Sequence, residues 1–135
     1  MKWKQEGCKN PTAKGSITVE SQDNDPNSLL NWTRSLISMR KSTPAFWGDS
    51  SWKPLIVEDN AYPMMYLRSD GNETYFIALN PTSAKKTVNV GQLSGLAAGK
   101  TLEPVLMSGK ASYKATKKGD VVTMNPVSAV ILKIK

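Results

Sequence analysis

Carboxylates are the side chains of this sequence whose spacing comes nearest to a hydrolytic site. Two carboxyl groups about 5–10 Å apart can hydrolyse a glycosidic bond, one as the acid and the other as base or nucleophile. Each candidate pair lies beside a helix start, a strand end or a turn, where acidic residues are ordinary surface groups. We therefore predict that none of them is catalytic. The pairs are Asp23 with Asp25, Glu58 with Asp59, and Asp70 with Glu73.

The other residues that commonly carry catalysis or bind metals are scarce. Histidine does not occur in the sequence, which excludes Ser-His-Asp and Cys-His sites, histidine general bases and HExxH metal sites. Cys8 is the only cysteine, so a thiolate zinc cluster within this sequence is excluded. No phosphate-binding glycine motif occurs, and no glycine and distal glutamate follow Asp23 and Asp25 at EF-hand spacing. We predict no metal site and no cofactor.

The formal net charge of +7 raises the question of a nucleic-acid partner. Nucleic-acid sites usually gather their cations on one face, together with aromatic rings that stack on bases. Here the lysines are scattered, and the pairs Lys85-Lys86 and Lys117-Lys118 lie near predicted turns. We predict no nucleic-acid partner, and a basic nucleic-acid binder stays an alternative that only the net charge supports.

Membrane association is not indicated by the sequence. No apolar run is long enough to span a bilayer, and the segment that begins Met1-Lys2-Trp3 lacks the apolar core of a signal peptide. We expect a soluble chain without a membrane partner, and the sequence leaves its compartment open.

The clearest element is an amphipathic helix predicted from about Pro26 to Lys41. Asp25 is a suitable N-cap, Pro26 suits the first helical position, and Arg40 and Lys41 oppose the negative end of the helix dipole. Apolar residues recur at helical spacing and cover about half of the helix circumference. These residues are Leu29, Leu30, Trp32, Leu36, Ile37 and Met39.

This wide apolar surface must be covered to be stable. Burying one large apolar side chain is worth roughly 1.5–3 kcal/mol, so six together approach about 10 kcal/mol, comparable to the stability of a small domain. We expect the surface to be covered either by the rest of the chain or by a body outside it.

From Trp52 onward, short strand patterns alternate with turn signals. The clearest hairpin turns at Asp70-Gly71, because such turns need positive φ. Its second strand is apolar on both faces and should be central, and the last strand should point Val130 and Leu132 inward. The predicted strands are Trp52–Val57, Tyr62–Arg68, Glu73–Leu79, Lys85–Val90, Leu102–Met107, Ala111–Ala115, Asp120–Met124 and Ala129–Ile134.

These elements predict a mainly β fold. We expect an antiparallel Greek-key β-sandwich of about eight strands, preceded by one amphipathic α-helix and an irregular N-terminal segment. The longer Gly/Ala/Ser connection at 91–100 suits a Greek-key crossover.

Short motifs follow one another along the chain, and their order resembles one known family. They are Met1-Lys2-Trp3, Val19 to Gln22 with Asp25 to Asn31, Ser38 to Lys41 with Pro44 to Phe46, Tyr66 to Arg68 with Asp70-Gly71, Ala78 to Asn80, and Ser128 to Leu132. Together they resemble the C-terminal part of an oligo-1,6-glucosidase-like α-glucosidase of glycoside hydrolase family 13, the α-amylase family. The chain departs from that pattern at Lys2, where the loop motif PMQW has Gln, and at Val127, where an aromatic residue is common.

The resemblance implies what each segment is. Residues 1–24 would be an irregular barrel loop, residues 25–47 the last barrel helix and its connection, and residues 48–135 the C-terminal all-β domain. The three catalytic acids of the family lie before the PMQW-like loop. The resemblance therefore implies that this chain alone is not an enzyme and that no catalytic residue can be assigned in it.

Two functions follow from these expectations. The first is a non-catalytic module that braces a catalytic α/β barrel, in a parent enzyme that hydrolyses α-glucosidic bonds of oligosaccharides by the retaining route. Its partner would be that barrel, or a second copy of the chain through the helix surface. The alternative is a carbohydrate-binding module that stacks sugars on exposed aromatic residues. Trp3 is the candidate for it, whereas Trp47 and Trp52 are expected to pack the helix onto the sheet.

Overall fold

The computed structural model describes residues 17–93, 99–117 and 119–135. It divides into two units, Met1–Ser42 and Thr43–Lys135. Trp3 and Cys8 lie outside the described residues, as do residues 94–98 of the connection predicted at 91–100. No helix in the described part is long and apolar enough to cross a membrane.

The first unit contains a short helix, α1 (Val19–Asp23), within the segment expected to be irregular. Thr18 and Ser21 explain it, because they form a reciprocal capping box. The Thr18 hydroxyl accepts the Ser21 amide at 3.0 Å, and the Ser21 hydroxyl accepts the Thr18 amide at 3.0 Å. The expectation that residues 1–24 are irregular is therefore wrong for these five residues.

The second helix, α2 (Leu29–Ser42), begins three residues later than predicted. The Asp25 carboxylate accepts the Asn27 amide at 2.9 Å and so closes a turn of its own instead of capping the helix. The Ser28 hydroxyl accepts the Asn31 amide at 3.2 Å, as an N-cap does. The end of α2 agrees with the prediction, with Arg40 and Lys41 in the last turn.

The second unit begins with a 3-10 turn, Pro44–Phe46, and its described residues form eight β-strands. The predicted strands are confirmed, with ends that shift by up to three residues. Their bounds are β1 (Ser51–Pro54), β2 (Met64–Ser69), β3 (Thr74–Asn80), β4 (Lys86–Asn89), β5 (Leu102–Ser108), β6 (Ser112–Lys114), β7 (Val121–Met124) and β8 (Ser128–Ile134).

The strands form two antiparallel sheets within the described part of this unit. The larger sheet has the order β1-β2-β3-β8-β5 and the smaller one β4-β7-β6. The central place of β3 and the β2–β3 hairpin are both confirmed, and Gly71 in its turn has a φ of +93°. The mainly antiparallel β fold is thus confirmed, while the Greek-key connection stays a prediction.

The core of the second unit lies between the two sheets. Phe76, Val130 and Leu132 of the larger sheet are fully buried, together with Val122 and Met124 of the smaller one. Since side chains alternate along a strand, this inner face leaves the residues between them on the outer face of the larger sheet.

A buried asparagine ties the ends of the two sheets together. Asn80, at the end of β3, donates its side-chain amide to the carbonyls of Ala84 at 2.9 Å and Asn125 at 3.0 Å. Its side-chain oxygen accepts the Thr82 hydroxyl at 2.7 Å. Because a buried amide without partners is costly, these bonds fix the turn after β3 against the turn after β7.

Candidate functional site

The first two carboxylate pairs are explained by local structure. Asp23 is ion-paired with Arg34 of α2, and both side chains are more than half exposed. Asp25 closes the turn described above. Glu58 and Asp59 are exposed in the segment between β1 and β2. None of these groups lies in a shielded pocket of the kind that a glycosidase acid requires.

The third pair, Asp70 and Glu73, belongs to the β2–β3 hairpin. The backbone amides of Glu73 and Asn72 donate to the Asp70 carboxylate at 2.8 and 2.9 Å and hold its pKa below the ordinary value. Glu73 is paired with Lys133 and accepts the Tyr75 hydroxyl at 2.8 Å, and these contacts lower the pKa of Glu73. A glycosidase acid needs the opposite shift.

Metal binding finds no support in the described residues. Within 17–93, 99–117 and 119–135, no three His, Cys, Asp or Glu side chains come together as ligands.

The apolar residues of α2 form a surface that we call the α2 stripe, defined by Leu29, Leu30, Trp32, Leu36, Ile37 and Met39. Every residue of α2 is described, and none is buried. Leu29 is 74% exposed and Ile37 is 50% exposed, while the other four are half-buried. Leu29 and Ile37 are therefore the residues of the stripe that another surface could cover.

Among the described residues of the first unit, polar contacts hold the start of α2. The Asn31 side chain donates to the carbonyls of Gln22 at 2.9 Å, Asp23 at 3.1 Å and Asp25 at 2.9 Å. The Ser28 hydroxyl donates to the Gln22 carbonyl at 2.6 Å, and the Gln22 side-chain oxygen accepts the Leu30 amide at 3.1 Å. The motif from Gln22 to Asn31 therefore sets the start and direction of α2.

The outer face of the larger sheet in the second unit is also apolar. Tyr75 and Ile77 of β3 are buried there beside Ala45 of the 3-10 turn. The rings of Phe46 and Tyr75 lie 4.9 Å apart between centroids. The segment 43–47, predicted to go with the helix, thus makes these contacts with the β-sheet.

A cleft lies beside this cluster, at the edge formed by β1 and β2. Its volume is about 360 Å³, and we call it the β1–β2 cleft. The rings of Trp52 and Tyr66 are tilted by 45° with centroids 6.2 Å apart. Burial raises the pKa of the Tyr66 hydroxyl, against a smaller opposing effect of the Arg68 charge. The lining residues are Phe46, Trp52, Met64, Tyr66 and Arg68.

Two tryptophans of the second unit are exposed. Trp47 is 46% exposed and Trp52 is 58% exposed, and the expectation that they pack the helix onto the sheet stays a prediction. Trp3, the predicted sugar-binding residue, lies outside the described residues. Sequence reasoning missed the β1–β2 cleft, although a period of two puts Tyr66 and Arg68 on one face of their strand.

Comparisons with known proteins place this geometry in context. No family model and no curated protein matches the chain. Among solved structures, the chain is similar to trehalulose synthase MutB from Pseudomonas mesoacidophila MX-45, at 27% identity and a TM-score of 0.69. A mutant of MutB in complex with the substrate sucrose matches at 27% identity and a TM-score of 0.70.

Two isomaltulose synthases also match. The enzyme from Klebsiella sp. LX3 has 21% identity and a TM-score of 0.68, and a mutant from Erwinia rhapontici NX5 in complex with D-glucose has 23% identity and a TM-score of 0.67. At these identities the likeness concerns the fold alone. Each match covers 88% of this chain and 20% of the other, so the chain spans about a fifth of the length of these structures.

Proposed function

We propose that this chain, whose structural matches support a relation to glycoside hydrolase family 13, is a non-catalytic C-terminal module that braces the catalytic barrel of a larger enzyme. In this proposal residues 1–24 belong to a barrel loop, residues 25–47 to the last barrel helix and its connection, and residues 48–135 to the all-β domain. The match to 20% of the length of each solved structure supports a module of such an enzyme.

The α2 stripe is the observation that carries the proposal. A helix held in place by the polar contacts of Gln22, Ser28 and Asn31 nevertheless leaves Leu29 and Ile37 largely exposed. Large apolar side chains in this arrangement contribute no burial free energy unless another surface covers them. A barrel wall of apolar character would supply that surface, and we assign it as the partner of the stripe.

The catalytic carboxylates would then come from the barrel. Each described carboxylate pair of this chain is engaged in a turn, engaged in an ion pair or exposed. We infer that the parent enzyme acts on α-glucosidic bonds by the two-carboxylate retaining route. The resemblance to oligo-1,6-glucosidase-like enzymes supports that substrate class, as does the sucrose complex of MutB.

When the chain is isolated from a barrel, a second copy of the chain would cover the α2 stripe instead. A two-fold pair through the α2 stripe would bury the same apolar residues on both partners. We therefore expect the 135-residue chain to form a homodimer through α2.

Light scattering over a concentration series, with an α-glucosidase assay on the same samples, tests the proposal. The matched variants are Leu36→Asp, at the centre of the stripe, and Ser38→Asp, an exposed residue of the same helix. We expect no activity in any sample, a dimer for the wild type and for Ser38→Asp, and a monomer for Leu36→Asp, because an unpaired carboxylate resists burial. Measurable α-glucosidase activity would contradict the non-catalytic assignment, and an unchanged mass of Leu36→Asp would contradict the role of the stripe.

A further inference from the structure

We propose that the β1–β2 cleft binds an oligosaccharide of α-linked glucosyl units. The inference rests on the proposed function for the class of ligand and on the geometry of the cleft for its location. It moves the carbohydrate-binding alternative from Trp3 to Trp52, and it concerns a surface on the second unit that is distinct from the α2 stripe.

The aromatic floor of the cleft is the first step. Trp52 keeps more than half of its surface exposed, which is unusual for so large an apolar ring in a sheet. Tyr66 lies beside it with its ring at 45°, so the two rings form a concave surface. Aromatic rings combine a large apolar face with a polar tip. Sugar rings have apolar C–H faces that match such a surface.

The polar rim of the cleft is the second step. Arg68 donates its Nε–H to the Ala45 carbonyl at 3.2 Å and a terminal N–H to the Trp47 carbonyl. These two bonds fix the guanidinium at the rim. A guanidinium carries five N–H donors in a planar fork. The bonds to the Ala45 and Trp47 carbonyls use two of them. A fixed donor beside an aromatic floor suits the hydroxyl groups of a sugar.

The size of the cleft is the third step. Its volume of about 360 Å³ falls in the range of roughly 300–1,000 Å³ that small-molecule sites occupy. The exposed side chain of Met64 extends the apolar floor and can adapt to the ligand. The only formal charge among the lining residues is that of Arg68, whose guanidinium is bonded to two carbonyls.

Titration of the full 135-residue chain with maltotriose, followed by NMR of the indole N–H groups, tests the site. We expect a saturable shift of the Trp52 signal, with a dissociation constant on the order of 1 mM. Trp52→Ala should weaken binding by about tenfold or more, because central aromatic residues carry most of a contact energy. Trp52→Tyr, which keeps an aromatic ring, should restore most of the affinity.

Two controls separate this inference from the proposed function. Trp32→Ala removes a tryptophan of the α2 stripe and should leave the maltotriose affinity unchanged, whereas Trp52→Ala should leave the solution mass unchanged. A saturating shift of the Trp52 signal would support sugar binding in the cleft. If the solution mass of the stripe variant Leu36→Asp is unchanged in the same study, the proposed function would be contradicted while the cleft is supported.

Several outcomes would contradict the proposal that the β1–β2 cleft binds sugar. The first is no saturable shift at sugar concentrations that would fill a site of this affinity, and the second is an equal affinity in wild type and Trp52→Ala. Equal binding of the β-linked trisaccharide cellotriose would overturn the assignment to α-linked units.

Discussion

The two units of this chain treat large apolar side chains in opposite ways. In the second unit, Thr43–Lys135, which we call the β-unit, two sheets close over the core. Its residues Phe76, Val130 and Leu132 therefore have no exposed surface. In α2, no residue is buried, and the helix is held by the side chains of Gln22, Ser28 and Asn31. The difference teaches that a sequence can specify the start of a helix with polar contacts while large apolar side chains of that helix stay exposed.

The comparison also separates two kinds of stability. The β-unit gains its free energy from burial, so substitutions inside it should be costly. The exposed residues of the α2 stripe, Leu29 and Ile37, gain burial free energy only when another surface covers them. Truncating an exposed residue of the stripe should therefore be tolerated in the uncovered chain.

A leucine-to-alanine substitution made in both units tests this comparison most directly. Leu132→Ala in β8 should lower the free energy of unfolding by about 2–5 kcal/mol, since it leaves a cavity in the core. Leu29→Ala in α2 should change it by no more than about 0.5 kcal/mol. Urea denaturation of dilute protein measures both, and similar losses in the two variants would show that the stripe is covered within the chain.

A strained residue next to β8 sharpens the comparison, because its substitution should raise the stability of the β-unit instead of lowering it. Val127 has a φ of 52° and is 73% exposed. A β-branched residue is disfavoured in this left-handed region. Val127→Asn should therefore raise the stability of the β-unit by about 1 kcal/mol. The control is Val57→Asn, an exposed valine outside the left-handed region, which should change little. A lower melting temperature for Val127→Asn than for wild type would contradict the strain.

The smallest expected effect is that of acid on the ion pair between Glu73, next to β3, and Lys133 of β8. The Lys133 hydrogen bond, followed by that of Tyr75, lowers the pKa of Glu73 in the folded chain. Its contribution to stability is therefore fully present above the unfolded pKa of about 4.3 and is lost as pH falls through the lower folded value. Glu73→Gln should lose this part of the acid dependence, whereas Glu58→Gln, in an exposed segment, should keep it. Melting temperatures between neutral and acidic pH measure both, and parallel curves for wild type and Glu73→Gln would contradict the role of the pair.

Much of the β-unit could be predicted from the sequence, because each signal was local. The Asp70-Gly71 turn, the two-sided apolar pattern of β3 and the alternation of Val130 and Leu132 in β8 each depend on neighbouring residues. These signals were sufficient for eight strands in the right places. Their ends and the sheet order depend on pairing between distant residues, which a period of two does not specify.

The helix start and the cleft could not be predicted, since both depend on contacts between separated residues. Asp25 and Ser28 are both good capping residues, and the choice between them was made by Gln22 and Asn31, which hold Ser28 at the start of α2. The β1–β2 cleft requires the register that pairs Trp52 with Arg68 across two strands. That register emerges only once the strands have paired.

Amide hydrogen exchange over a protein concentration series tests most directly whether α2 needs a partner that the β-unit does not. We predict that amides of β3 and β8 are protected at every concentration, because they open only with the core. Amides of α2 should exchange rapidly in dilute wild-type protein and become protected as the concentration rises, but stay unprotected in Leu36→Asp. Protection of α2 equal to that of β3 at the lowest concentration would contradict the central claim, since the stripe would then be covered without a second body.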